Sequence, residues 1–434
     1  MISASFTCSY PARFRSRLMG WLSQYDIAAF FDSNHFTENI IESRYDWLAA
    51  CGSRKIISTD NQFFESLQKD MDINPRWWVG FLGYDLKNET EKLVSENEDR
   101  TGFPRGFFFQ PETIISCKGD EITVSILPVR GGERTKPEKT YRDIEEIEPY
   151  KIKYPQKLAF ARRTGKDQYI ANTRSLLNHI MRGDIYEVNY CQEFYCDGAV
   201  IDPLSVFMIL QDNSPAPFSF YFRISNRYII SASPERYLHR EGNRLSSQPM
   251  KGTAPRGASH GEDESMKSAL EKSEKEASEN IMIVDLVRND LSRFATRGSV
   301  NVDELAGLYS FSRVHQLVST VSCSIPEEVT VTQMIMNTFP MGSMTGAPKI
   351  RAMELIERYE DIRRGAFSGA AGYIMPGGNF DFNVIIRSFM YDSAGKYLSI
   401  MAGSAITALS DPEKEYEECL LKAGYAIEAI GGKI

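Results

Sequence analysis

Apolar runs with strand character and segments of helical character both recur along the chain. The strand signals, which are rich in β-branched and aromatic residues, are EITVSIL, PFSFYF, RYIISAS, VIIRSFMY and YLSIM. Several of them follow one another with only short turns between, which favours antiparallel sheets. The helical signals, among them KDQYIANTRSLLNHIMRG and KIRAMELIERYE, are interspersed with the strands without regular alternation. The pattern predicts an α+β fold.

A charged segment that is poor in strand signals interrupts this pattern. It reads RGGERTKPEKTYRDIEEIEPYKIKYPQ and covers residues 130–156. We interpret it as the connection between two lobes. The predicted division is an N-terminal lobe over residues 1–155 and a second region over 156–434, which carries the candidate chemistry.

The composition is that of an ordinary globular protein, with 434 residues, 42% of them hydrophobic and 25% charged. The net charge is −8 and no basic cluster is interleaved with aromatic residues, so the sequence disfavours a nucleic-acid partner. Seven scattered cysteines without a CxxC pair fit reduced thiols. Since no signal-peptide pattern and no run of about 20 apolar residues is present, we expect a cytoplasmic protein.

One lysine is the first candidate for covalent chemistry. Lys251 lies in the segment QPMKGTAPRG at 248–257, between a proline-closed strand end and a Gly-Thr turn whose backbone could approach a ligand. A lysine is nucleophilic only when neutral, and an ordinary pKa of about 10.4 keeps that form rare at pH 7. A catalytic Lys251 would therefore need a pKa lowered by burial or by neighbouring cations. The alternative is a solvated lysine in a surface turn.

Four further motifs follow along the chain. They are KEASENIMIVDLVRNDL at 275–291, FPMGSMTGAPKIRAMELI at 339–356, DFNVIIRSF at 381–389 and AGSAITALSDPEKEYEECLLKA at 402–423. Together with PMKGT they resemble the chorismate-utilising enzymes, the anthranilate synthase component I-like family that also includes aminodeoxychorismate synthase component I, isochorismate synthase and salicylate synthase. The resemblance runs from about residue 160 to the C-terminus. It implies two mainly antiparallel sheets packed as a sandwich, with helices on the outer faces.

The lysine of the P-x-K-G-T motif is the most discriminating position within this family. Aminodeoxychorismate synthases carry lysine there and anthranilate synthases typically carry alanine. The resemblance therefore implies conversion of chorismate and ammonia to 4-amino-4-deoxychorismate, the precursor of 4-aminobenzoate and folate, through a covalent intermediate on Lys251. No Cys-His amidotransferase signature is recognisable, so we expect ammonia from a separate glutamine amidotransferase subunit. The alternatives are anthranilate synthase component I, an isochorismate-type synthase and a non-catalytic chorismate-binding relative.

Two glutamate pairs with helical i, i+3 spacing are candidate metal ligands: Glu276 with Glu279, and Glu415 with Glu418. From spacing alone, a solvated helix face is the better interpretation of either pair. In the family, glutamates at these positions bind Mg²⁺, which in turn holds the ring carboxylate of chorismate. The resemblance implies Glu279 and Glu418 as inner ligands, with Glu276 and Glu415 acting through water.

The resemblance assigns the second carboxylate of chorismate, on the enolpyruvyl arm, to Arg387 and Lys422. The alternative for Arg387 is a structural ion pair between a strand and a helix. Two departures from the family, Phe367 in place of a tyrosine and Ala405 in place of a glycine, remove no charge. The further substrate contacts that we expect are Gly252, Thr253, Ser343 and Gly403.

The family resemblance also assigns the acid-base roles. Glu235, in SASPERYL, matches the family's general acid for the C4 hydroxyl, a role that requires a raised pKa. His315 matches a family histidine near the ring, and its alternative is a buried, hydrogen-bonded imidazole. Glu187, in GDIYEVNYCQ, stands where isochorismate and salicylate synthases carry the lysine that activates water. The sequence therefore disfavours that chemistry.

Overall fold

The computed structural model describes residues 1–36, 43–59, 61–128, 136–311 and 314–434. The strands are β1 Ile2–Thr7, β2 Ile27–Asp32, β3 Trp47–Ile57, β4 Trp78–Leu82, β5 Gly106–Lys118, β6 Glu121–Ile126, β7 Leu158–Ala159, β8 Ala161–Arg162, β9 Glu187–Asp197, β10 Phe218–Ile224, β11 Arg227–Ser233, β12 Arg236–Glu241, β13 Arg244–Gln248, β14 Met250–Pro255, β15 Asn301–Ser310, β16 Val314–Ser324, β17 Gly346–Ala347, β18 Ala370–Ile374, β19 Phe380–Val384, β20 Ser388–Asp392, β21 Tyr397–Ile406 and β22 Gly432–Lys433. The helices are α1 Pro11–Leu22, α2 Phe63–Ile73, α3 Lys87–Thr90, α4 Pro137–Glu146, α5 Lys166–Met181, α6 Pro203–Asn213, α7 His260–Glu271, α8 Glu274–Ser292, α9 Val331–Thr338, α10 Lys349–Tyr359 and α11 Pro412–Ala429. The mixture confirms the predicted α+β class.

The strands form two antiparallel layers that are joined through β5. The first layer runs β1-β6-β5-β3-β2-β10-β11-β20-β21-β9. The second runs from β4, which also pairs with β5, through β18-β19-β12-β13-β16-β15. Strand β14 continues the edge of β16 beyond β13. Among the described residues, only β22 and β7 pair in parallel.

Aromatic side chains fill the space between the layers. Phe222 of β10 makes edge-on ring contacts with Phe81 of β4 at 5.6 Å and with Phe109 of β5 at 6.0 Å. Phe31 of β2 similarly meets Tyr373 of β18 at 5.8 Å. Such pairs add to the free energy gained by burying large rings. The two sheets are therefore packed face to face as the sandwich that the family resemblance implies.

Helices cover the outer faces of the sandwich. Buried residues of α1, α4, α5, α6, α10 and α11 pack on the first layer in one core cluster. Those of α2, α8 and α9 pack on the second layer. No helix in the described part of the chain combines the length and the apolar character needed to cross a membrane. The helices α8 and α11 matter most here, since they carry the two glutamate pairs.

The two predicted lobes share both sheets. Strand β2, from the N-terminal portion, pairs with β10, and β4 pairs with β18. Within the predicted connection, Pro137–Glu146 forms α4, whose Tyr141 and Ile144 are buried. Residues 130–135 of that connection lie outside the described residues. A boundary at residues 155 and 156 thus divides the sequence but does not separate two independent sheets.

The sandwich interior predicts where stability is concentrated. Phe222→Ala should lower the free energy of unfolding by about 3–5 kcal/mol, because it empties a site that is 1% exposed and walled by aromatic rings. Tyr10→Ala, at a position that is 73% exposed, should change it by less than about 0.5 kcal/mol. Urea denaturation of both variants measures the difference. Equal effects would contradict the face-to-face packing.

Candidate active site

One cavity opens between β14, β21 and the helices α8 and α11. Every residue predicted for the site lines it except His315: Glu235, Lys251, Gly252, Thr253, Glu276, Glu279, Ser343, Arg387, Gly403, Glu415, Glu418 and Lys422. The two departures noted in the sequence, Phe367 and Ala405, line it as well. The fold therefore brings together residues that are far apart in the sequence. Their chemical roles remain predictions.

Lys251 lies in strand β14, which continues through the Gly-Thr segment that was predicted to form a turn. The pairing of β14 with β16 shifts register between Met250 and Thr253, which marks a β-bulge. Gly252 adopts a φ of +90°, and a Cβ there would come within 3.1 Å of Glu276 Oε2. The glycine of the motif therefore permits the local backbone that places Lys251 on the cavity wall.

Lys251 is buried and ion-paired. Its Nζ donates a hydrogen bond to Oε1 of Glu187, on β9, at 2.7 Å. Burial disfavours the ammonium form, but the attraction of Glu187, followed by Glu279 and Glu235, outweighs burial and raises the pKa of Lys251 above its ordinary value. The expectation of a lowered pKa is therefore wrong for this arrangement. Lys251 is held as an ammonium and needs a proton acceptor before it can act as a nucleophile.

Glu235 has the environment of a proton donor. It lies between β11 and β12, is 5% exposed, and accepts a hydrogen bond from Ser343 Oγ at 2.7 Å through its Oε1. Burial raises the pKa of Glu235 to about 7, although the hydrogen bond from Ser343 and the charge of Lys251 oppose the shift. A carboxyl group with this pKa is partly protonated near neutral pH. The shift has the direction that the general-acid assignment requires.

The two glutamate pairs reach the cavity from two helices, Glu276 and Glu279 from α8 and Glu415 and Glu418 from α11. Burial raises the pKa of Glu279 to about 7. Its Oε1 is buried and has no hydrogen-bond partner among the described residues. A buried oxygen without a partner costs free energy, so this carboxyl group is suited to a ligand that supplies positive charge or a donor.

Two lysines partly balance these carboxylates. Lys275 Nζ lies 3.3 Å from Glu415 Oε1 and 3.7 Å from Glu279 Oε1. Lys422 Nζ lies 2.6 Å from Glu418 Oε1, one helical turn away. Burial by itself would raise the pKa of Glu418, but Lys422, together with the charges of Lys275 and Lys251, outweighs burial and lowers that pKa.

These contacts show whether the acidic residues of the cavity could hold a magnesium ion. Within the residues that the structure describes, no three carboxyl, imidazole or thiol groups converge closely enough to enclose a metal. Mg²⁺ does not need such an enclosure, because it keeps several waters and takes substrate oxygens. Two acidic pairs on one cavity, and the Glu279 oxygen that receives no hydrogen bond from the described residues, fit a partly hydrated ion of this kind. The lysines would then have to release their carboxylates.

Arg387 lies in the connection between β19 and β20, and not in a strand as predicted. Its Nη1 donates to the backbone oxygen of Lys422 at 3.3 Å, and no carboxylate of the described chain forms an ion pair with it. The alternative of a structural ion pair is therefore not realised. Desolvation lowers the pKa of Arg387, and its half-buried guanidinium, which has no ion-pair partner among the described residues, is suited to a carboxylate ligand. Gly403 contributes its carbonyl, which accepts from Lys422 Nζ at 3.0 Å.

His315 was predicted to belong to the site but does not line the cavity. It is fully buried in β16, with Nδ1 2.9 Å from Ser310 Oγ and Nε2 2.9 Å from Asp263 Oδ1. The next residue, Gln316, lines the cavity instead, and its Nε2 donates to Thr253 Oγ1 at 3.4 Å. Successive strand residues point to opposite faces, so the two cannot both face the ligand. The alternative of a buried, hydrogen-bonded imidazole is the one observed.

Sequence reasoning missed three polar residues of the cavity: Asn189, Lys275 and Gln316. Asn189 follows Glu187 by two residues on β9, and its amide donates to the backbone oxygen of Ser343 at 2.9 Å. Lys275 precedes Glu279 by one helical turn. Strand periodicity from Glu187 could have indicated Asn189, and helix periodicity from Glu279 could have indicated Lys275.

The family model for chorismate binding enzymes matches residues 20–428. The chloroplastic aminodeoxychorismate synthase of Arabidopsis thaliana is 34% identical over 86% of this chain and 42% of its own length. Anthranilate synthase component 1 of Thermus thermophilus is 32% identical over 85% of this chain and 80% of its own. Aminodeoxychorismate synthase component 1 of Escherichia coli is 37% identical over 61% of this chain and 58% of its own. The chain thus spans less than two thirds of the first and third of these relatives.

Solved structures share the fold. Anthranilate synthase component I from Streptococcus pneumoniae has a TM-score of 0.77 at 24% identity, covering 90% of this chain and 93% of its own. The menaquinone-specific isochorismate synthase of Escherichia coli has a TM-score of 0.78 at 16% identity, covering 99% of this chain and 94% of its own. At these identities the likeness concerns architecture alone. The family match over most of the sequence, with the motif residues gathered on one cavity, leads to the assignment: the chain belongs to the chorismate-binding enzyme family.

Proposed function

We propose that this chain is the chorismate-aminating component of an aminodeoxychorismate synthase, which forms 4-amino-4-deoxychorismate from chorismate and ammonia. The observation that carries the proposal is the buried amine of Lys251 on the cavity wall, paired with Glu187 and within the electrostatic reach of Glu235. A relative named aminodeoxychorismate synthase and one named anthranilate synthase have similar sequence identity to the chain, 34% and 32%. The choice between them therefore rests on Lys251.

Anthranilate synthase component I is the second candidate, and the Thermus thermophilus relative favours it by matching 85% of this chain. An isochorismate-type reaction is less well supported, because Glu187 stands at the position of the water-activating lysine. A non-catalytic binding protein would have no need for the charged groups, yet both acidic pairs, Lys251, Arg387 and Lys422 all line the cavity.

The substrate carboxylates would be bound at two places. Arg387 can offer two parallel donors to the enolpyruvyl carboxylate, with Lys422 adding positive charge beside it. Glu279 and Glu418 would hold Mg²⁺ directly, and Glu276 and Glu415 would do so through water. When bound, Mg²⁺ would neutralise the ring carboxylate and the surrounding glutamates.

The reaction would proceed through the chain's own acid and nucleophile. The neutral amine of Lys251 forms a bond to C2 of the ring, the ring double bonds shift, and the C4–O bond breaks. Glu235 donates its proton to the departing C4 hydroxyl, which leaves as water. Ammonia then forms the C4–N bond, the double bonds shift back, and the bond between C2 and Lys251 breaks.

Ammonia would come from a separate glutamine amidotransferase chain. Glutamine hydrolysis of that type uses an accessible cysteine thiolate. All seven cysteines of this chain are buried and unbonded to one another, and burial raises the pKa of Cys191 and Cys419. These thiols have the character of core residues, which agrees with an external source of ammonia.

Chorismate turnover should depend on Mg²⁺. Glu279→Gln and Glu418→Gln should each lower turnover at least about 100-fold, because each removes a charge from a direct ligand. Glu417→Gln is the matched control, since Glu417 is exposed on the same helix and should tolerate the change. Chorismate consumption measured with Mg²⁺ and after EDTA treatment tests this. Full turnover in EDTA would contradict the metal site.

The pH dependence of kcat/KM should reflect the protonation state of Glu235. Because its protonated form is the proton donor and its pKa is raised to about 7, kcat/KM for chorismate should fall as the pH rises above about 7. Glu235→Gln keeps the shape of the side chain but has no acidic proton, so it should lower kcat about 10²- to 10⁴-fold and lose this alkaline limb. A Gln variant that keeps the wild-type profile would assign the acid to another group.

Product analysis tests the proposed function directly. Purified chain with chorismate, Mg²⁺ and ammonium salt should form 4-amino-4-deoxychorismate and no fluorescent anthranilate. Without ammonia, Lys251 should gain the mass of chorismate less one water, detectable in the intact protein and mapped by peptide sequencing. Lys251→Ala should lose the adduct, and Lys272→Ala, at an exposed lysine, should keep it. Anthranilate as the wild-type product would favour the second candidate.

A further inference from the structure

Glu187 is the closest carboxyl group to the proposed nucleophile and has no part in the reaction described above. It is the first residue of β9 and is 3% exposed. Its Oε1 lies 2.7 Å from Lys251 Nζ, and the described chain gives Lys251 no other ion-pair partner within 4.0 Å. A carboxylate at this distance can take a proton from the ammonium without any change of position.

The backbone around Glu187 fixes this contact. Strand β17 pairs with the start of β9, and Gly346 passes so close that a Cβ there would lie 2.1 Å from the Glu187 carbonyl oxygen. Asn189, two residues further along β9, donates to the backbone of Ser343, whose hydroxyl holds Glu235. The hydrogen bonds of Asn189 and Ser343 therefore connect strand β9, which carries Glu187, to Glu235, the proposed acid.

Resting on the proposed covalent role of Lys251, we infer that Glu187 is the proton acceptor that activates it. The Glu187 carboxylate accepts one proton from the Lys251 ammonium, and the freed lone pair forms the N–C2 bond. The ring electrons shift, the C4–O bond breaks, and the oxygen leaves as water with the proton of Glu235. When ammonia later bonds to C4, Lys251 departs as an amine and takes its proton back from Glu187.

This exchange suits a buried pair. Burial removes much of the solvation that stabilises the ammonium and the carboxylate, so it favours the neutral amine and carboxylic acid and opposes the attraction to Glu187 that keeps Lys251 protonated at rest. The other carboxyl groups that act on Lys251 are Glu235 beside β12, Glu276 and Glu279 on α8, and Glu418 on α11. The acid role of Glu235 and the metal-binding role of the helix glutamates leave Glu187 as the group free to accept the proton.

The test compares Glu187→Gln with wild type in single-turnover formation of the Lys251 adduct, with chorismate and Mg²⁺ and without ammonia. Glutamine retains an oxygen that accepts a hydrogen bond from Lys251 but cannot take its proton. The adduct rate at pH 7 should fall about 10²- to 10⁴-fold, and Glu187→Asp should restore part of it. Rates are compared at saturating chorismate, and a cooperative urea transition shows that each variant is folded, since loss of one partner of a buried ion pair should lower the urea midpoint.

The pH profile separates proton transfer from positioning. In Glu187→Gln the neutral amine forms only by loss of a proton to solvent, so the ratio of wild-type to variant rates should shrink about tenfold for each pH unit between 7 and 9. A ratio that is constant with pH, or an unchanged adduct rate, overturns the role of Glu187 alone. Failure of wild type to form any adduct overturns the covalent role of Lys251 and this inference with it.

Discussion

Charge balance in a buried cavity is the constraint on which this site depends. Four cations meet six carboxyl groups there, and the carboxyl groups are Glu187, Glu235, Glu276, Glu279, Glu415 and Glu418. Burial disfavours each ionised form, and two of the carboxyl groups, Glu235 and Glu279, have pKa values raised to about 7. A dianionic substrate would add two further negative charges. A divalent cation brought in with the substrate would offset them, which is why the metal and chorismate are expected to bind together.

The sandwich holds these opposing groups in place. Strands β9, β14 and β21 present Glu187, Lys251 and Gly403, and the helices α8 and α11 bring the acidic pairs toward them. A Cβ at Gly346 would clash with the carbonyl oxygen of Glu187, and the φ of +90° at Gly252 disfavours any residue that has a Cβ. Lys251 lies in strand β14, whereas Glu235 and Arg387 lie in the short connections between β11 and β12 and between β19 and β20. The proposed nucleophile, acid and carboxylate-binding arginine are therefore all positioned by the sheets before a substrate binds.

The sequence predicted which residues line the site far better than it predicted their pKa values and charge pairing. Motif positions identified twelve lining residues, because each motif carries its functional group at a fixed place in a strand or helix. His315 was misassigned because strand alternation decides which of two neighbours faces the cavity. The raised pKa of Lys251 depends on Glu187, 64 residues away, and no local pattern reports that contact. The interleaving of the N-terminal strands β2 and β4 with later strands is likewise a long-range pairing.

The central claim is that chorismate lies with ring carbon C2 against Lys251 and its enolpyruvyl carboxylate on Arg387. A crystal structure of the protein with Mg²⁺ and chorismate, in the absence of ammonia, tests it most directly. The account predicts continuous density between Lys251 Nζ and C2, two hydrogen bonds from Arg387 to the carboxylate, and Mg²⁺ on Glu279 and Glu418. A bound ring whose C2 faces ordered water, with Lys251 still paired to Glu187, would contradict it.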